Sequence, residues 1–334
     1  MVFIYKKLIG KKEYYYLRAS LTKNGKQITK DIAYLGNDPS KIKEKLATLS
    51  QTHQKEIRKT YKTIHKFLEV NHFLEQIKKE KLKKNPYLKE LLNPIEACKL
   101  HWNAVFQKLD DNSKDELLND FIVSFSHNTT SLEGNTITLK EAENLLINQK
   151  TPRDRTLREV YDLQNTKTVF FKYYEDIPKN LNHNLIQDIH SLLINKIDVR
   201  KGYRTQDIRV TKARFKSSPA QYVKTDMTLL LKWFDENKNK LHPLVLATIF
   251  HHKFEKIHPF FDGNGRTGRM LANIILFQNK YPPLIIRKKN RKKYLDSLSK
   301  ADILDLNSST TEEYSELVKF TANEFVENYW NTFL

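Results

Sequence analysis

The chain is poor in glycine, with 8 in 334 residues, where average usage would supply roughly 23. They stand at positions 10, 25, 36, 134, 202, 263, 265 and 268, so three fall within six residues. A sequence that avoids glycine this strongly is expected to keep it where no side chain fits. Cysteine is scarcer still. The single Cys98 excludes an intramolecular disulfide framework and any Cys-cluster zinc site, and it suits a reducing cytoplasm. No apolar run approaches ~18 residues, so no segment is expected to span a membrane. Lys6, Lys7, Lys11 and Lys12 interrupt the start of the chain, which has no secretory pattern.

What is present points to a globular protein: 39% hydrophobic and 11% aromatic residues, in a chain long enough for a large domain with an appendage or for two domains. Net charge is +19. Residues 1–85 carry 21 Lys/Arg against 8 Asp/Glu, whereas the other 249 carry 37 against 31. The basic N-terminal quarter, with Tyr14, Tyr15 and Tyr16 among its lysines, could bind nucleic acid by phosphate contacts and stacking. A solvated, lysine-rich surface is the plainer reading and is preferred at this level.

Residues 2–8, 13–21 and 27–35 are rich in β-branched and aromatic residues and read as strands, with breaks near Gly10 and at Asn24-Gly25. We expect a small β-sheet module over 1–38, a helical connector over 39–112, and a mainly α domain over 113–330. Helices are expected near 114–131, 138–148, 155–176, 182–195, 223–238, 242–257, 264–279, 290–303 and 311–332. Residues 203–222 read as a β-hairpin within that domain.

The glycine cluster lies in His258-Pro259-Phe260-Phe261-Asp262-Gly263-Asn264-Gly265-Arg266-Thr267-Gly268-Arg269. Pro259 stops the preceding helical pattern, and the apolar period resumes with Met270, Leu271, Ile274 and Ile275. The geometry is helix, tight loop, helix N-terminus. Free N–H groups of 263–265 would favour an anion there, and absent side chains at Gly263 and Gly265 let it approach. Arg266 and Arg269 share a face and can bind successive phosphates. Asp262 can hold Mg²⁺ against them, and His258 can act as a general base. Gly263, Gly265 and Gly268 also match the dinucleotide-binding fingerprint, but that motif must follow a strand, and residues 248–257 are helical in pattern.

These twelve residues resemble the Fic family motif, H-P-F-x-D/E-G-N-G-R-x-x-R, at every fixed position, and His251, Phe254 and Glu255 look like its lead-in. The resemblance implies a helical core with a β-hairpin flap, and transfer of AMP from Mg·ATP to a protein hydroxyl. By that resemblance His258 would deprotonate the target hydroxyl and Asp262 would coordinate Mg²⁺. Gly263, Asn264 and Gly265 would form the anion hole, Arg266 and Arg269 would hold the β- and γ-phosphates, and Thr267 and Gly268 complete the ATP-binding stretch. Tyr294 matches a position lining the nucleotide pocket. Kinase-like relatives carry lysine where this chain has Gly265, so nucleotidyl transfer is favoured.

A second resemblance is Thr129-Thr130-Ser131-Leu132-Glu133-Gly134-Asn135, which looks like the family's inhibitory S/T-x-x-x-E-G/N motif. It implies a helix about 114–134 whose Glu133 occupies Arg269 and inhibits in cis; in some relatives such a glutamate also supports removal of AMP. Gly202-Tyr203-Arg204-Thr205 fits the lead-in to the flap, where Val210, Thr211 and Lys212 would dock a target segment by strand addition. Lys212, where many relatives have glycine, and a lone Pro219 depart from the pattern. Asp302, where relatives usually have asparagine, leaves base preference open, because a carboxylate only accepts hydrogen bonds. Partners implied are ATP and an unknown target protein, the chain itself included; relatives often self-associate. The alternative is a nucleic-acid-binding or adaptor protein with a regulatory pocket.

Overall fold

A computed structural model describes all residues except 11, 24–25, 209–215, 303–305 and 307–310. The Asn24-Gly25 turn and, of the expected flap, Val210, Thr211 and Lys212 therefore lie outside the described residues; of the hairpin expected over 203–222, the described residues 203–208 and 216–222 form no strand. The chain divides into two compact units, 1–83 and 84–333.

The first unit opens with an antiparallel sheet in the order β1 (Val2–Ile9), β2 (Lys12–Lys23), β3 (Lys26–Gly36). Pairing of Ile9 with Lys12 closes a tight turn at Gly10, whose φ of +61° suits glycine. Strand alternation turns Val2, Ile4, Tyr15, Leu17 and Leu35 to one face, where Ile42, Leu46 and Ile64 meet them. Those last three come from α1 (Ile42–Ala47) and α3 (Tyr61–Lys79), with α2 (Gln51–Lys59) between. The stretch 39–112 is thus shared: its first half packs under the sheet, and α4 (Leu92–Ala104) belongs to the second unit.

The second unit is helical: α5 (Asp111–Leu132), α6 (Leu139–Leu146), α7 (Leu157–Glu175), α8 (His183–Leu193), α9 (Val223–Asn237), α10 (Pro243–Ile257), α11 (Asn264–Gln278), α12 (Arg291–Ala301) and α13 (Thr311–Thr332). Side-chain caps set several starts. Asp110 accepts from the Ser113 N–H, and Thr138 and Thr156 form capping boxes with Glu141 and Glu159. At the centre, α10 is buried from Leu244 to Phe254 and α11 from Asn264 to Phe277, as expected of helices enclosed on every side. Helix α10 packs on α9, α11 and α13, while α11 meets α5, α7 and α8. This places the loop between the two central helices beside the end of α5. Among the described residues no helix is long and apolar enough to cross a membrane.

Candidate active site

The loop joining α10 to α11 is held in an unusual shape by its neighbours. His258 takes φ 53° and ψ 61°, a left-handed conformation uncommon outside glycine. Arg204, with its side chain wholly buried, fixes it. Its Nε donates to the His258 carbonyl at 2.8 Å and its backbone N–H to the Pro259 carbonyl at 2.9 Å. Nη1 donates to the Gln206 carbonyl at 3.1 Å, and Nη2 to the carbonyls of Ser218 and Ile257. The Asn264 amide closes the turn from inside, accepting from the Phe260 N–H at 2.9 Å and donating to its carbonyl at 2.8 Å. The His190 ring stacks on Phe260 with centroids 3.6 Å apart and reaches the Asp262 carbonyl at 3.0 Å. Gly263, at φ +76°, then starts α11.

His258 is poised as a base. Its Nδ1 lies 3.2 Å from the Glu255 carbonyl, so Nδ1–H donates there and Nε2 carries the lone pair. Burial lowers its pKa below the ordinary 6.5, which keeps the ring neutral at pH 7. Glu255 sits close by with Oε1 lacking a hydrogen-bond partner among the described residues. Burial, reinforced by the charge of Glu133, pushes its pKa up to about 8.

Beyond the loop is a cleft of about 240 Å³, walled by Glu133, His258, Asp262, Gly263, Gly265 and Arg269 and by Tyr294, Leu298 and Asp302. Glu133 caps the C-terminus of α5, and Gly134, at φ +109°, ends that helix. The Glu133 Oε1 accepts from Arg269 Nη2 at 2.7 Å. It also lies against Gly265: a Cβ there would stand 2.1 Å from it. The same guanidinium is oriented by Thr129, through Nε to Oγ1 at 2.7 Å and Nη2 to the backbone carbonyl at 2.9 Å. Burial works to raise the Glu133 pKa, but Arg269, aided by Arg266 and His258, outweighs it and holds the carboxyl below its ordinary value.

Not every expected residue reaches the cleft. Of the three N–H groups expected to be free, that of Gly263 is taken by Asp262 Oδ1 at 2.6 Å. Asp262 also pairs with Arg158 and lies 3.4 Å from Arg266. Arg266, Thr267 and Gly268 do not line the cleft. Arg266 is buried against Asp162 of α7, and burial lowers its pKa to about 10. Gly268 serves helix packing, since a Cβ there would meet His251 Nδ1 at 2.7 Å. Tyr294 does line the cleft, and its hydroxyl pairs with His251 Nε2 at 2.5 Å. Asp302 accepts from His252 Nε2 at 3.1 Å, with Tyr314 2.9 Å from the other ring nitrogen. The adjacent histidines point apart, and among the described residues no cluster of three His, Cys, Asp or Glu could hold a metal. Arg204 stands in the Gly202-Tyr203-Arg204-Thr205 stretch with no task legible there, and no motif marks Asp162, Arg158 or His190.

Residues 180–276 match the model of the Fic/DOC family. Over this segment the chain is similar to Fic domains. A probable protein adenylyltransferase of Aquifex aeolicus is 36% identical over 148 residues, 44% of this chain and 43% of that protein. Protein adenylyltransferase fic-1 of Caenorhabditis elegans is 28% identical over 187 residues, 54% of this chain and 37% of its own. The chain thus matches less than half the length of these curated relatives. A solved Fic-domain signalling protein from Bacteroides thetaiotaomicron shares the fold, with a TM-score of 0.64 at 23% identity over 71% of this chain and 95% of that one. The C. elegans Fic-1 structure (residues 134–508) gives 0.60 at 22% identity, covering 73% and 71%. The helices around the Fic segment belong to the same compact unit, and α5 carries Glu133 to the loop.

Proposed function

We propose that the chain is a protein adenylyltransferase that moves AMP from ATP to a hydroxyl side chain of a protein, and that Glu133 holds it inhibited. One observation carries the reading: the Glu133 carboxylate rests on Gly265 and Arg269, an anion in an anion site, beside a neutral His258 with Nε2 unprotonated. The chain's own anion stands where a triphosphate's terminal oxygens would bind.

With Glu133 displaced, Arg269 and the first-turn N–H groups of α11 hold the phosphates. His258 Nε2 takes the proton of the target hydroxyl as its oxygen bonds to the α-phosphorus; the bond to the bridging oxygen breaks and pyrophosphate leaves. Arg266, locked to Asp162 and Asp262, stiffens the helix start rather than meeting the cleft. Asp262 lines the cleft with a carboxylate and would hold Mg²⁺ in exchange for its pairing with Arg158, since the ion commonly takes one or two protein carboxylates along with substrate phosphates. When bound, the ion would neutralise charge that develops on the phosphates. Tyr294 and Leu298 leave an apolar berth for the base. The partners in this reading are ATP and a target protein, the chain itself being one candidate, and the setting is the cytoplasm.

Glu133→Gly protein given α-³²P-ATP and Mg²⁺ should label itself or a lysate protein well above wild type, and adding His258→Ala should abolish the label. No label from ATP, GTP, CTP or UTP with Glu133→Gly would sink this reading.

A further inference from the structure

The first unit presents a surface that AMP transfer does not use. Its sheet spends one face on the core with α1 and α3. On the opposite face alternation sets Phe3, Tyr5, Tyr14, Tyr16 and Tyr34, and the register brings them together: Tyr5 pairs with Tyr16, and Tyr16 with Tyr34. Ring centroids of Tyr16 and Tyr34 lie 5.2 Å apart, and those of Tyr14 and Tyr34 6.4 Å. Arg18 spreads over the Tyr5 ring at 3.5 Å, and Lys45 Nζ stands 5.6 Å from the Tyr34 centroid. Tyr34 is 53% exposed. The hydrophobic core does not need these rings, because the inner face already closes it.

Charge identifies the occupant. This quarter of the chain holds 21 basic against 8 acidic residues. Four of those acids, Glu13, Asp31, Glu56 and Glu75, are already paired with Lys6, Arg18, Lys59 and Lys78. The positive surplus is therefore not cancelled within the unit. Basic groups around partly exposed rings on one sheet face match a polyanion that carries planar faces. In a duplex those faces are stacked away, so the rings would have nothing to meet; in a single strand they are open. We propose that the outer face of this sheet is a binding platform for single-stranded nucleic acid, stacking on the order of two or three bases on Tyr5, Tyr16 and Tyr34 while surrounding lysines meet the phosphates.

The test uses the full chain and fluorescein-labelled dT20, rU20 and a 20-bp duplex, read by anisotropy at 50 and 200 mM salt. Single strands should bind at 50 mM salt, more tightly than duplex, and weaken at 200 mM. Tyr34→Ala, at an exposed position outside the core, should weaken single-strand binding about tenfold, and Tyr16→Ala/Tyr34→Ala about a hundredfold. Tyr16→Phe/Tyr34→Phe, which keeps both rings, should bind as wild type, so a loss in the alanine variants alone reports stacking. No anisotropy change with either single strand at 50 mM salt would overturn the proposal. So would duplex binding equal to single-strand binding with Tyr34→Ala without effect, which would mean a charged surface only. Neither result bears on nucleotide transfer by the second unit.

Discussion

Glu133 and Glu255 face the same cleft, yet Arg269 lies 2.7 Å from the first while the second keeps an oxygen with no hydrogen-bond partner among the described residues. That difference sets opposite charge states. The carboxyl of Glu255 ionises near 4.5 in the unfolded chain and at about 8 when folded. Below pH 4.5 both states hold the proton. Between 4.5 and 8 only the unfolded chain loses it, so native stability falls through that window and levels off above it. Glu255→Gln removes this slope. Its melting temperature should match wild type near pH 4.5 and exceed it at pH 8; equal shifts at both values would show that Glu255 titrates normally. His258 carries the opposite sign, because burial favours its neutral, basic form. The acid limb of labelling by Glu133→Gly protein should therefore have its midpoint below 6.5, and a midpoint above 6.5 would contradict the burial argument. His258 was legible in its motif. The state of Glu255 was not, since it depends on how tightly α10 is enclosed.

At the scale of elements, Arg204 grips carbonyls on both sides of residues 209–215, through Gln206 and Ser218, and the same guanidinium holds the His258 carbonyl. It does not line the cleft. Arg204→Lys exchanges a five-donor fork for a single ammonium that cannot serve these acceptors together. In the Glu133→Gly background, labelling should fall about a hundredfold through misplacement of His258, while ATP affinity measured by calorimetry stays near its starting value. A parallel loss of ATP binding would assign Arg204 to general folding instead. Gly268→Ala tests the packing of α10 on α11. The added methyl meets His251 Nδ1 at 2.7 Å, and overpacking of this kind costs about 1–3 kcal/mol, visible as a lower melting temperature; an unchanged melt would mean that the helices part easily. Helix positions in the second unit were readable because caps such as Thr138 and Thr156 and the apolar period agree. Arg204 and Asp162 were not, because backbone carbonyls and a single carboxylate on α7 leave no pattern in the chain.

For the whole molecule, the uneven charge seen in the sequence coincides with an uneven architecture. The compact units divide after Lys83, close to where the basic quarter ends. The sequence marked the charge step but not the division inside 39–112, because helical periodicity looks the same whichever core a helix joins. Residues 81–85 have no regular structure, and Lys81, Lys83 and Lys84 are exposed between α3 and α4. Exposed, irregular backbone admits a protease where helical lysines resist it. Brief trypsin treatment should therefore release a fragment beginning at residue 82, 84 or 85. That fragment contains α5, the whole of α10 and α11, and every residue of the cleft, so it should bind ATP with the affinity of the intact chain in both wild-type and Glu133→Gly forms. First cuts within α1–α3, or loss of ATP binding on cleavage, would mean that the second unit depends on residues 1–83 for its shape.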